Sequence, residues 1–117
     1  MTIREFQKND KKAVEEIFAL YWTDPEFLEE LSSELQLYIK EGLTKGSGFF
    51  VAEEDGQILG IVGFKKIAEY LAPFSLTDNP IELYVIASKY KGKGVGTKLK
   101  LKLIEEVKDL GFNEILF

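Results

Sequence analysis

The stretch Lys91-Gly92-Lys93-Gly94-Val95-Gly96-Thr97 constrains this chain more than any other. It follows a β-branched and aromatic run, Pro80 to Ile86, that reads as a strand. It precedes a segment from about Gly96 to Leu110 in which Leu99, Leu103, Val107 and Leu110 mark one helical face. Gly111 stands where helices end on a left-handed residue, and Phe112 to Phe117 reads as a further strand. Strand, glycine turn, helix and strand make a β-α-β unit. Its two strands are expected to pair in parallel through a right-handed crossover.

Upstream, Thr2 to Phe6 is a short candidate strand. Asn9-Asp10 is placed to cap a helix whose Val14, Ile17, Phe18 and Tyr21 share a face. Thr23 or Asp24 can cap a second helix with Pro25 at its first position, Leu28, Leu31, Leu35 and Tyr38 on one face, and Gly42 at its end. A turn from Thr44 to Gly48 leads into the strand Phe49 to Ala52. Asp55-Gly56 predicts a type I′ hairpin, because both positions of that turn need positive φ. The returning strand, Ile58 to Phe64, contains Gly60 and Gly63, a sign of close packing or a bulge. Lys65 to Asn79 reads as a loop with short local structure. The order β-α-α-β-β-β-α-β predicts one mixed α/β (α+β) domain over residues 1–117, a sheet with helices packed on it.

With 117 residues, 45% of them hydrophobic, the chain can fill one core. It has no cysteine and no histidine, which excludes zinc-finger ligand sets, disulfide scaffolds, catalytic thiols and Ser-His-Asp triads. No apolar run approaches the roughly 18 residues of a membrane span, and no signal-peptide core follows Met1. A cytoplasmic domain without metal or membrane partner is therefore expected. The net charge of −5 is unevenly spread: residues 81–104 hold six lysines against Glu82 alone. A local basic stretch in an acidic protein points to a small anionic ligand rather than to nucleic acid.

The glycine loop suits such a ligand. Glycines let the backbone approach closely, and the first turn of the following helix offers unpaired N–H groups and a partial positive charge. Phosphate or pyrophosphate is the expected guest. The alternative is a glycine-rich turn with solvated lysines. A P-loop needs Gly-Lys-Ser/Thr, which occurs nowhere, and the dinucleotide fingerprint fails where Thr97 takes the place of its third glycine.

With these residues in place, the chain resembles the GNAT superfamily of N-acetyltransferases, whose acetyl-CoA loop reads Q/R-x-x-G-x-G/A between the fourth strand and third helix. Lys91 to Gly96 match that pattern except that Lys91 replaces Gln or Arg, keeping charge without the planar side chain. Tyr84 to Tyr90 is similar to the family's strand end, with Ser88 where many members have Pro. The hairpin at Asp55-Gly56 and the two early helices follow the family's order. The resemblance implies a GNAT-like acyl-CoA N-acyltransferase fold, with a mixed, mostly antiparallel sheet, and use of acetyl-CoA without a metal. It implies that main-chain groups of Val85 and Ile86 bind the pantetheine arm and one N–H there stabilises an oxyanion. The amides of Lys93, Gly94, Val95, Gly96 and Thr97, with Lys91 and Gly92, would receive the pyrophosphate. Family domains continue past the fifth strand, whereas this sequence ends within it at Glu114 to Phe117. A truncation, a natural short form or completion by a second chain are the three explanations. An apolar edge strand there predicts homodimers or aggregation.

Glu82 is the candidate general base that deprotonates the amine, since its even offset from Ile86 on one strand predicts a shared face; a solvated strand carboxylate is the alternative. Tyr84 is expected on that same face, in the core or lining an acceptor cleft. Asp24, Glu26, Glu29, Glu30 and Glu34 make the junction of the first two helices acidic, which attracts a cationic amine or simply suits a helix N-terminus. Tyr70 and Phe74 either wall that cleft or anchor their loop. The expected activity is direct acetyl transfer from acetyl-CoA to a primary amine of a small molecule or peptide. The alternatives are a non-catalytic CoA-binding domain or a fragment of an acetyltransferase, and, from another class, a nucleic-acid accessory using the 89–102 lysines.

Overall fold

Asp55 and Gly56 take φ of 51° and 78°, the two positive values that a type I′ turn requires. They join β2 (Ser47–Glu54) to β3 (Gln57–Lys65) in an antiparallel hairpin at the centre of a five-stranded sheet. The computed structural model describes residues 1–42, 46–67 and 69–116. The sheet order is β1 (Thr2–Glu5), β2, β3, β4 (Pro80–Ser88), β5 (Glu114–Leu116). The first three pairings are antiparallel, and β4 and β5 are parallel, as the β-α-β reading expects. Of the turn expected at 44–48, Thr44 and Lys45 lie outside the described residues, as do Ala68 in the 65–79 segment and Phe117 at the end of the fifth strand.

Helices α1 (Lys11–Tyr21) and α2 (Pro25–Glu41) cover one face of the sheet, and α3 (Val95–Asp109) covers the other. Val14, Ile17 and Phe18 of α1 and Leu31, Leu35 and Tyr38 of α2 pack on Phe49, Val51 and Ile61. On the far side Leu99, Leu103 and Val107 pack on Phe50, Val62 and Phe64. Each such side chain contributes roughly 1.5–3 kcal/mol when buried, so both layers are needed to hold the sheet.

The helix boundaries follow local chemistry. Asp24 caps α2 by accepting from Glu26 N at 3.1 Å, with Pro25 at the first helical position. Gly111, at φ 98°, ends α3. Asp10 departs from expectation: it precedes α1, but its carboxylate does not cap that helix. It is buried and accepts from the Arg4 guanidinium at 2.8 and 2.9 Å and from Gln7 N at 2.8 Å, drawn off by a stronger, charged donor.

Gly60 and Gly63 are close-packing glycines. A Cβ on Gly63 would lie 2.5 Å from the Phe49 ring, and one on Gly60 would lie 2.8 Å from Val95 and 2.9 Å from the Ala87 carbonyl. Gly60 therefore lets the first turn of α3 sit against the sheet, which fixes where the glycine loop stands. Bulges also occur. The register shifts by one opposite Leu59, and again opposite Tyr84, because Gly63 pairs with Val85 while Phe64 pairs with Leu83.

The 65–79 segment contains a 3-10 turn, Glu69–Phe74. It is tied down by Glu114, whose carboxylate accepts from Leu76 N, Thr77 N, Ser75 Oγ and Thr77 Oγ1. Tyr70 and Phe74 are 72% and 70% exposed, so neither anchors this loop. No described helix is long and apolar enough to cross a membrane.

Candidate functional site

The site begins with a strand that outruns its partner. Along one edge β4 pairs with β3 from Glu82 to Ser88, but β5 pairs only with Pro80, Ile81 and Glu82. From Leu83 to Ser88 the second edge of β4 has no strand partner among the described residues. Val85 and Ile86, the positions expected to offer main-chain groups, lie on this free edge.

The chain then enters the glycine loop. Gly92 and Gly94 have φ of 76° and 73°, values that side chains rarely adopt, and a Cβ on either would meet nothing within 4 Å. Gly96 is different. It lies inside α3 without positive φ, and again nothing stands within 4 Å of its missing Cβ. A glycine there costs up to about 1 kcal/mol of helix stability relative to alanine, and no packing or backbone demand of the protein accounts for it. Gly94 is the N-cap of α3 and no side chain caps the helix, so the first-turn amides of Val95, Gly96 and Thr97 are offered outward. Lys98 N bonds back to Gly94 O at 3.1 Å, the first bond of the helix.

Two clefts flank this loop. One, of about 420 Å³, runs from Ile86 to Ser88 across Gly92, Gly94 and Gly96 to Thr97 and Lys100. The other, of about 650 Å³, lies between the hairpin tip and α3, with Tyr90, Lys93 and Lys98 in its wall. Lys91 is exposed and lines neither of these two clefts. The first cleft also contains Tyr21 from α1, a residue whose helical spacing reads as core. Its phenol instead donates to the Ser88 carbonyl, and the side chain is 43% exposed. A tyrosine at the very end of a helix was the available signal, since its hydroxyl needs a partner.

Glu82 is not on the face expected of it. Ile81 and Leu83 pack toward α3, and the bulge then puts Tyr84 and Val85 together toward α1 and α2, with Ile86 back toward α3. Glu82 therefore shares a face with Tyr84 but not with Ile86, because one extra residue reverses the alternation between them. Its carboxylate Oε2 is buried without a hydrogen-bond partner among the described residues. Around it, Tyr84 Oη donates to Glu30 at 2.6 Å and the Lys65 ammonium sits 4.2 Å from the Tyr84 ring centroid. Burial first, then Glu30, raises the Tyr84 phenol well above its ordinary range, with Glu34 and Glu82 adding to the effect. Glu82 and Ser88 stand about 17 Å apart along the bulged strand, so the carboxylate cluster and the glycine loop lie toward opposite ends of β4. Of the junction acids, Glu30 reaches this cluster, whereas Asp24 is occupied as a cap. Tyr70 and Phe74 line none of the clefts described.

An aminoglycoside N-acetyltransferase, AAC(6')-Iy, solved in complex with CoA, superposes with a TM-score of 0.78 at 15% identity, covering 97% of this chain and 73% of that one. An N-acetyltransferase from Staphylococcus aureus Mu50 gives 0.73 at 25% identity, covering 97% and 70%. Among curated proteins, N-acetyltransferase 8 of Rattus norvegicus is 28% identical over 72 residues, 62% of this chain. The match spans about a third of that relative, 32% of its length. The model of the Acetyltransferase (GNAT) family matches residues 12–117, and the chain belongs to that family.

Proposed function

We propose that this chain is an acetyl-CoA-dependent N-acetyltransferase that acts on a primary amine of a small molecule or peptide by direct attack. The observation that carries the reading is the end of β4 running into an uncapped helix start lined by Gly92, Gly94 and Gly96, with open space where each of their Cβ atoms would stand. An extended chain with a diphosphate at one end matches that shape, and the CoA bound in AAC(6')-Iy supports it.

When bound, acetyl-CoA supplies an activated acetyl group as a thioester. The amides of Lys93, Gly94, Val95, Gly96 and Thr97 hold the pyrophosphate at the positive end of α3, with the lysines Lys91 and Lys93 adding charge. Main-chain groups of Val85 and Ile86 hydrogen-bond the pantetheine arm as an added strand would. A backbone N–H at the bulge is aimed off the regular ladder, which suits it to an oxyanion. Glu82 accepts the proton of the attacking ammonium, directly or through a water, since only the neutral amine has a lone pair. The neutral amine would add to the thioester carbonyl, forming the C–N bond and the oxyanion; collapse would break the C–S bond, and the proton lost by the nitrogen balances the one taken up by the departing thiolate. Cysteine is absent and no serine has a histidine partner, so an acyl-enzyme has no convincing nucleophile.

Calorimetric titration of acetyl-CoA, followed by turnover with a panel of polyamines and peptide amines, tests this. Micromolar binding with turnover is expected. Binding without turnover across the panel would favour a non-catalytic CoA-binding domain, and no binding would reject the cofactor site.

A further inference from the structure

Tyr21 is the last residue of α1, and its phenol donates to the main-chain carbonyl of Ser88, the last residue of β4. Its neighbour Trp22 is packed edge-on against Phe18 and Phe27, with ring centroids 5.8 and 5.4 Å away, so the corner that presents Tyr21 is braced. Tyr21 itself is 43% exposed, and core packing does not account for it. On the other side of the strand, Lys89 N bonds to Leu59 O at 2.7 Å. These two bonds fix the backbone on both sides at the point where the glycine loop leaves the sheet.

We propose that Tyr21 is a positioning residue for the cofactor. Its hydroxyl holds the Ser88 carbonyl and so sets where the loop begins, while its ring forms the α1 wall of the cleft. The inference rests on the reading of that cleft as the acetyl-CoA site. Tyr21 also lies three residues before Asp24, the cap of α2, so the same bond couples the helix that carries Glu30 to the cofactor loop.

The test compares the unmodified chain with Tyr21→Phe, which keeps the wall and removes the hydroxyl, and with Tyr21→Ala, which removes both. CoA is titrated calorimetrically, amide exchange of residues 89–94 is followed in the free proteins, and KM for acetyl-CoA is separated from kcat. Tyr21→Phe is expected to weaken CoA binding about fivefold, the effect of one neutral hydrogen bond. Exchange at 89–94 should quicken, and KM should rise while kcat holds. Tyr21→Ala should bind more weakly still. If Tyr21→Phe binds CoA within twofold of the unmodified chain, with or without faster exchange, the positioning role is wrong and the cofactor reading stands. If the unmodified chain does not bind CoA, both are overturned.

Discussion

Tyr84 of β4 and Glu30 of α2 are joined by a 2.6 Å hydrogen bond from phenol to carboxylate. The bulge makes this pairing available, because it turns Tyr84 and Val85 toward the same helical layer. Burial first, and then the Glu30 carboxylate, holds the phenol well above the ordinary tyrosine range, so it remains a donor at any working pH. Tyr84→Phe is expected to cost about 1 kcal/mol in urea denaturation. It should raise KM for the amine several-fold while leaving CoA affinity unchanged. Equal losses in amine and CoA binding would place Tyr84 in the core rather than at the acceptor end.

Glu82 carries a buried carboxylate oxygen with no hydrogen-bond partner among the described residues, a costly arrangement for a group with no function. Glu82→Gln removes the charge and keeps the shape. Turnover should fall by about 10²–10⁴, the usual contribution of a general base. CoA affinity should hold, and thermal stability should change little, since the substitution keeps the side chain's shape. A variant that turns over at the wild-type rate would leave a water or another carboxylate as the base.

Much of this site was legible because its chemistry is local. Asp55-Gly56 and Gly111 declare their turns by φ alone, and the spacing of Leu99, Leu103 and Val107 declares the face of α3. The position of Glu82 was not legible. A bulge is a property of two strands in register, and no glycine or proline at 82–86 marks the place where β4 gains a residue on β3. The even offset between Glu82 and Ile86 thus predicts a shared face that the fold does not have. Asp10 and Tyr21 were misread for a related reason. A helix-flanking aspartate and a tyrosine at helical spacing have ordinary local roles, and the partners that displace those roles lie outside the helix whose periodicity is read: Arg4 on β1, six residues before Asp10, and Ser88 at the end of β4, 67 residues from Tyr21.

Gly96 separates stability from function. Its missing Cβ faces open space and its backbone is helical, so Gly96→Ala should stabilise the free protein, by less than the roughly 1 kcal/mol of a helix interior because it lies in the first turn of α3. The same methyl group would stand where the ligand's phosphates approach, and CoA affinity should drop by about tenfold or more. Gly94→Val is a poorer probe, because the φ of 73° there strains any β-branched residue and folding itself would suffer. A Gly96→Ala chain that is more stable and binds CoA normally would show that the cradle lies elsewhere.

Asp10 gives the fold an acid limit. Burial favours its protonated form, but the bonds from Arg4 and Gln7 N outweigh this and hold the carboxyl below its usual range, while Arg4 is raised in turn. A carboxyl depressed in the folded state contributes its full stability above the unfolded value of about 3.9. That contribution is lost as the pH falls below 3.9 toward the folded pKa. Stability measured by urea titration should therefore be flat in this term from pH 7 to about 5 and decline below about 4. Asp10→Asn should abolish that part of the decline and cost about 1–3 kcal/mol at pH 7, because Arg4 would keep only Glu53 as a charged partner. The cost should shrink as the pH drops, and the two proteins should converge in stability near pH 2. A difference that persisted undiminished at low pH would mean that packing around Asp10, not its charge, is what the substitution removes.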